Sequence, residues 1–173
     1  MAQNSPPMTA QEVVESLQQQ ANPDVATFLQ GYFKTGPGQY GEGDLFLGIK
    51  VPPLRILARR ASAMTLPEVL KLLAHQAHEA RLVALLIWVQ QYAKDASLRG
   101  PIVNAYLSST QHINNWDLVD LSAPGIPGRW LLEQGPSALD LESLVRSSWL
   151  WDRRIAVPST LTLIRAHHFE ATL

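Results

Sequence analysis

Hydrophobic positions along the chain recur at helical spacing, and the sustained alternation of apolar and polar residues that indicates strands is missing. Polar, glycine or proline breaks separate the periodic stretches, as they do between antiparallel helices. Helices are predicted in "TAQEVVESLQQQA", "PDVATFLQGYF", "PPLRILARRASA", "LPEVLKLLAH", "HEARLVALLIWVQQYAK", "GPIVNAYLSS", "WDLVDLSAPGI", "SALDLESLVRSS" and "LWDRRIAVPSTLTLIRAHHF". The pattern therefore predicts an all-α fold.

Local signals mark where several of these helices begin and end. Thr9 with Glu12 three residues later is a capping-box pattern, and Asn22-Pro23 reads as an N-cap followed by the first helical residue. In "SAPGIPGRW", two prolines stand where the helix from Trp116 would continue, so that helix is expected to end or kink near Ala123.

Residues 36–53, "GPGQYGEGDLFLGIKVPP", contain five glycines and three prolines and are predicted to form a loop. Such a loop is long for a small helical domain, and long loops inside compact domains are often functional. We expect it at the rim of a binding surface.

A repeat underlies the helical pattern. The second helix of each of the last three predicted pairs begins near Glu79, Trp116 and Asp152, at intervals of about 36 to 37 residues. Two-helix units of this size are typical of HEAT-like solenoids, which stack into a curved superhelix with a concave binding face. A compact helical bundle is the alternative, but it has no reason to keep the interval.

Composition narrows the possible functions only a little. The chain has 173 residues, no cysteine and a net charge of −1, so it has no disulfide or thiolate metal site, and its charge does not indicate a nucleic-acid binder. It has neither an apolar run long enough for a membrane span nor a signal-peptide pattern. The five histidines show no metal-ligand spacing. A cytoplasmic, monomeric protein is expected.

Four segments carry a family resemblance. They are "YFKTGPGQYGEGDLFLGIKVPPLR" (32–55), "HEARLVALLI" (78–87), "NNWDLVD" (114–120) and "LWDRRIAV" (150–157). In their order and spacing they resemble the AlkD-like family of DNA alkylation repair proteins. Each motif is weak alone, whereas the four together are specific, and the match runs from about residue 25 to the end.

The resemblance implies a fold and an activity. The family is built of HEAT-like helical repeats, and its enzymes are monofunctional DNA glycosylases that need no cofactor. They excise cationic alkylated purines, such as 7-methylguanine and 3-methyladenine, from duplex DNA without flipping the base. The family also closes with a further helical unit. The chain is therefore expected to be a single helical-repeat domain over 1–173 that lacks this unit.

The family's motifs fall on particular residues of this chain. The resemblance assigns catalysis to Trp116 and Asp120 of "NNWDLVD" and phosphate binding to Arg154, the second arginine of "WDRR". A carboxylate suits this chemistry because it stabilises an oxocarbenium-like sugar and directs water, while an indole face favours a cationic base. Without the family, Trp116 would be read as a core residue and Asp120 as a solvated charge.

Further residues are expected to contact DNA. The repeat places "HEAR", "NNWD" and "WDRR" on one face, and other basic or aromatic side chains are expected to join them. The predicted DNA contacts besides Arg154 are Arg153, Arg81, Lys50, Arg55 and Trp151. Each has a plainer interpretation: Arg81 as a contact between repeats, Trp151 and Trp149 as packing residues, and the other cations as solvated helix faces.

Two functions from different classes follow. The first is an alkylpurine DNA glycosylase acting on duplex DNA that contains alkylated bases, and retention of both Trp116 and Asp120 favours it. The second is a non-catalytic HEAT-like module that binds DNA structures or a protein partner, which the near-neutral charge favours.

Overall fold

A computed structural model describes residues 6–169 of the chain. Its helices are α1 (Ala10–Gln18), α2 (Pro23–Tyr32), α3 (Val51–Arg60), α4 (Leu66–Leu73), α5 (His78–Lys94), α6 (Arg99–Leu107), α7 (Trp116–Ser122), α8 (Pro127–Gln134), α9 (Leu141–Arg146) and α10 (Leu150–Arg165). Residues 6–169 contain no strand, only an isolated bridge between Leu45 and Ala77. The all-α prediction is confirmed and agrees with a helical-repeat fold. The superhelical curvature and concave face stay predictions.

The chain divides into two compact units, Met1–Ile87 and Trp88–Leu173, with the boundary inside α5. The single-domain prediction stays a prediction. Within the described range, no helix is both long enough and apolar enough to cross a bilayer. Residues 1–5 and 170–173 lie outside that range. The expectations about a signal peptide and about the C-terminal end concern these residues and therefore also fall outside the described range.

The first unit begins with two helices whose caps match the sequence signals. The Thr9 side chain accepts from the Glu12 N–H while Glu12 accepts from the Thr9 backbone, so the capping box forms. Asn22 accepts from the N–H groups of Asp24 and Val25 and caps α2. Helix α1 packs on α4, but α2 buries none of its residues.

The glycine-rich loop between α2 and α3 is held by a buried carboxylate. Glu79, 1% exposed in the first turn of α5, accepts from the backbone N–H groups of Leu47, Gly48 and Ile49. Gly48 has a φ of +84° and lies so close to Asn22 that a Cβ there would be 2.1 Å from the Asn22 carbonyl oxygen. Residues 47–49 of the loop are therefore held by α5 and lie against the start of α2.

The second unit is organised around α10, which packs against α7, α8 and α9. Its buried stripe runs through Trp151, Ile155, Ser159 and Leu163, each four residues from the next, as a helix buried on one side requires. Gly128 lets α8 approach this stripe, because a Cβ there would lie 2.7 Å from the Ser159 carbonyl oxygen.

Each predicted helix is present, and one further helix, α8, was not predicted. Helix α7 ends at Ser122, and a 3-10 turn covers Ala123–Gly125, as the prolines predicted. Helix α8 was missed, because Pro127 begins a helix where its absent N–H costs nothing. The helices of the predicted repeat begin at His78, Trp116 and Leu150, within two residues of the expected starts.

Candidate active site

The start of α7 is fixed by buried polar side chains. Asn115, fully buried, caps the helix and accepts from the Trp116 N–H over 2.9 Å. Asp117 is also buried and accepts from the Leu118 N–H over 2.9 Å. With the first turn held in this way, Trp116 and Asp120 stand four residues apart on one helical face. Trp116 is half-buried, whereas Asp120 is exposed.

Asp120 pairs with Arg154 of α10. The Arg154 Nε donates to Asp120 Oδ1 over 3.0 Å, and its Nη2 donates to Oδ2 over 2.7 Å, so the contact is bidentate. Both side chains keep about two-fifths of their surface in solvent, 39% for Asp120 and 41% for Arg154. The geometry is that of a specific carboxylate–guanidinium contact, and solvent still reaches both groups.

A buried hydroxyl network lies next to this part of α7. The Tyr106 hydroxyl and Ser122 Oγ are 2.9 Å apart, and Ser122 Oγ also donates to the Leu118 carbonyl. Burial, and to a smaller extent the charge of Asp120, raises the pKa of Tyr106 above its ordinary value of 10.0. Tyr106 therefore stays neutral, and it contacts α7 at Ser122 without adding a charge near Asp120.

The two tryptophans in "SSWLWDRR" differ in exposure. Trp151 belongs to the buried stripe of α10 and is only 4% exposed, which agrees with its plainer interpretation as a packing residue. Its contact with DNA stays a prediction. Trp149, the N-cap residue of α10, is 42% exposed. Arg153 is exposed, and its Nη1 donates to the carbonyls of Ser147 and Ser148 over 2.7 and 3.0 Å.

Arg81 is also placed differently from the expectation. It is 7% exposed, and its Nη2 donates to Asp44 Oδ1 over 2.6 Å, while the other oxygen of Asp44 lies 3.1 Å from His78 Nδ1. An arginine whose charge is buried against a carboxylate offers no free charge to a phosphate. This contact agrees with the plainer, structural interpretation of Arg81, which links the glycine-rich loop to α5. A DNA contact at Arg81 stays a prediction.

Lys50 and Arg55 are exposed near the start of α3. Lys50 is the N-cap residue of that helix and Arg55 lies in its first half. Neither joins an ion pair within residues 6–169. Their cationic groups are therefore accessible, as the predicted phosphate contacts require, and those contacts stay predictions.

Two residues near the candidate site were missed in the sequence. Tyr106 gave no local signal, because only the tertiary fold brings it to Ser122, 16 residues away. Trp149 did give one: it lies four residues before Arg153, whereas Trp151 lies four before the apolar Ile155. The four-residue spacing is consistent with the observed exposures, but the packing around α10 decides which tryptophan is covered.

The arrangement on α7 and α10 offers a carboxylate, two guanidinium groups and indole rings to solvent. Over the range 6–169 no three acidic or histidine side chains gather as a metal site would require. An exposed carboxylate beside cationic and aromatic groups is suited to stabilising positive charge near a bound phosphodiester. The protein is therefore all-helical, and its α7 and α10 side chains form a surface suited to binding nucleic acid.

Comparison with known families gives the particular assignment. The sequence model of the DNA alkylation repair enzyme family matches residues 13–173. The chain therefore belongs to this family of DNA repair enzymes, and DNA binding follows from that membership. No curated protein and no solved structure matches the chain.

Proposed function

We propose that this protein is a monofunctional DNA glycosylase that removes cationic alkylated purines from duplex DNA. The observation that carries the proposal is the exposed Asp120 carboxylate, which shares a helical face with Trp116 and is held by Arg154. Family membership supplies the setting of DNA alkylation repair. The finer activity rests on the chemistry of these three side chains.

The leaving group determines what the protein has to provide. A purine alkylated at N7 or N3 carries a positive charge, so it departs as a neutral base when the C1′–N bond breaks and keeps the bonding electrons. Protonation by a general acid is unnecessary. The sugar left behind has oxocarbenium character, and water must add at C1′ and lose a proton. A carboxylate near C1′ is the group that this step needs.

Asp120 is proposed to fill that role. Its negative charge stabilises the developing positive charge on the sugar, and a carboxylate oxygen orients the attacking water and accepts its proton. Trp116, on the same face of α7, presents an electron-rich ring to the cationic nucleoside, a contact worth about 0.5–2 kcal/mol. This chemistry acts on a sugar that faces the protein surface, so the base need not enter a pocket.

Arg154 connects substrate binding with the carboxylate. In the free protein its guanidinium group is shared with Asp120, and both partners are solvated. A DNA phosphate matches the same bidentate geometry and competes for Arg154. When the phosphate is bound, Asp120 is left with more of its negative charge available to the sugar.

The proposal is tested by measuring base release from methylated duplex DNA. The native chain is expected to release 7-methylguanine or 3-methyladenine faster than spontaneous depurination, and the rate without protein is subtracted. Release at only the spontaneous rate, from DNA that the chain demonstrably binds, would reject the glycosylase and leave the non-catalytic DNA-binding module. The pairing of Asp120 with Arg154 is the observation that favours this second candidate, since it partly neutralises the carboxylate.

A further inference from the structure

Trp149 is a large apolar side chain that the fold keeps in solvent. It is 42% exposed at the N-terminal end of α10, two residues before the buried Trp151. Its exposure is not the result of a loose chain end, because the surrounding backbone is tied down. The Trp149 N–H donates to Ser147 Oγ over 3.1 Å, and Ser147 Oγ donates to Asp152 Oδ2 over 2.7 Å. The indole is therefore presented by a rigid segment.

The position of Trp149 relates it to the candidate site. Its indole N–H points to the carbonyl of Thr110 over a long 3.5 Å, and Thr110 belongs to the 3-10 turn that precedes α7. Its own carbonyl accepts from the backbone N–H of Arg153. Trp149 thus lies where the segment leading to Trp116 meets the helix that carries Arg154.

The charges nearby indicate what this indole can contact. Arg153 follows Trp149 by one helical turn, and its Nη1 donates to the carbonyls of Ser147 and Ser148. Arg153 and Arg154 are both exposed. An exposed tryptophan beside exposed arginines is the combination that binds nucleic-acid backbones, because arginine takes the phosphate while the ring packs on a base or sugar.

We propose that Trp149 is a DNA-positioning residue. Its indole packs against a deoxyribose of the strand whose phosphates Arg153 and Arg154 bind, and so sets the register of the duplex relative to Asp120. The inference rests on the proposed function for the location of the reacting nucleotide, but the contact itself requires only DNA binding. It gives Trp149 the contact with DNA that the sequence suggested for Trp151.

Affinity measurements test the contact without any chemistry. The probe is a duplex that carries a tetrahydrofuran abasic analogue, which the protein cannot hydrolyse. Trp149→Ala is expected to weaken binding about 5- to 30-fold, the range that truncation of an aromatic interface residue commonly gives, and Trp149→Phe to retain most of the affinity because a ring remains. The matched control is Leu132→Ala on α8, which removes another exposed apolar side chain, 40% exposed, in the same unit. The control should bind like the native protein.

Tryptophan fluorescence gives a second test on a folded protein. Acrylamide, an uncharged quencher, should reach Trp149 in the free protein and lose access when the duplex is bound. The DNA-protected part of the emission should be clearly smaller in Trp149→Phe than in the Leu132→Ala control, and what remains is expected from Trp116. This result does not depend on whether Trp149→Ala folds.

The outcomes separate this inference from the proposed activity. Native affinity in Trp149→Ala overturns the inference, and so does protection by DNA that is undiminished in Trp149→Phe. A docking surface for an acidic protein segment would give this result. Absence of any DNA binding by the native chain at low salt overturns it as well. If DNA binding depends on Trp149 but no alkylated base is released, the inference stands and the proposed glycosylase fails.

Discussion

Asp120 and Arg154 are 34 residues apart in sequence and are joined by two hydrogen bonds across α7 and α10. Both side chains remain partly exposed, so the pair contributes little to stability, about 0–1 kcal/mol for solvated ion pairs. Under the proposed function, the pair keeps a guanidinium group where a phosphate can compete for it and a carboxylate where a sugar can approach.

Substitution of Asp120 is the direct test of the proposed chemistry. Asp120→Asn should retain the fold and DNA binding but lose about 10²–10³ in the rate of base release, since one catalytic electrostatic contact is commonly worth about 3–4 kcal/mol. The rate is measured in single turnover after subtraction of spontaneous release. Glu142→Gln is the control, because it also removes a solvated carboxylate paired with an arginine, here Arg146 of α9. Equal rates in the two variants would contradict a catalytic Asp120.

Substitution of Arg154 should change the salt dependence of DNA binding. Arg154→Ala removes one proposed phosphate contact, so the slope of log affinity against log salt should become less negative by about 0.9. Affinity at low salt should fall as well, because Asp120 is left without its cationic partner. Arg146→Ala, also in an exposed pair, should leave the slope unchanged. A slope that does not differ between Arg154→Ala and the native chain would exclude Arg154 from phosphate binding.

Arg81 should behave as a stabilising residue. Arg81→Met leaves the buried Asp44 without its guanidinium partner, and loss of one member of a buried pair costs about 3–5 kcal/mol in the free energy of unfolding. Urea denaturation measures this loss. Arg55→Met, on the exposed surface of α3, should cost less than about 0.5 kcal/mol. Similar stabilities for the two variants would show that the Asp44–Arg81 contact is not needed to hold the loop.

Gly48 and Gly38 form a matched pair of glycines for testing the loop. Both have positive φ, +84° and +75°, so alanine is strained at either position by about 1–2 kcal/mol. Only at Gly48 would the new Cβ also meet backbone, 2.1 Å from the Asn22 oxygen and 2.6 Å from the Ala26 nitrogen. Gly48→Ala should therefore destabilise the protein more than Gly38→Ala and increase amide exchange in α2. Equal losses would mean that α2 does not depend on this contact.

Glu68 should contribute a pH-dependent part of the stability of the first unit. Its side chain accepts from the Ala10 N–H over 2.8 Å, and this bond, followed by that to Lys71, lowers the pKa of Glu68 below its ordinary value of 4.5. A carboxylate with a lowered pKa in the folded state contributes its full stabilisation when the pH is above its pKa in the unfolded chain. This stabilisation is lost as the pH falls through the pKa of the folded state. Glu68→Gln should therefore flatten the decline in unfolding free energy below about pH 4.5. If the unfolding free energy of Glu68→Gln declines with falling pH as it does in the native protein, other carboxylates cause the decline.

Several features of this protein were determined by local sequence. Thr9 with Glu12 and Asn22 with Pro23 begin helices as expected, because capping depends on side chains within three residues of the helix start. The stop of α7 at Ser122 follows from the missing proline N–H in the same way. The four-residue spacing of Trp116 and Asp120 needed only the helical period to place both on one face.

Tertiary structure decided which charged and aromatic side chains are available. Arg81 and Arg154 look alike in sequence, yet one is buried against Asp44 and the other is exposed beside Asp120. Trp149 and Trp151 differ in the same way, because α10 has one stripe covered by α7, α8 and α9 and another left in solvent. Residue type and helical period state what a side chain can do. Whether it does so depends on which face its neighbours cover, and that is set by long-range packing that no local pattern records.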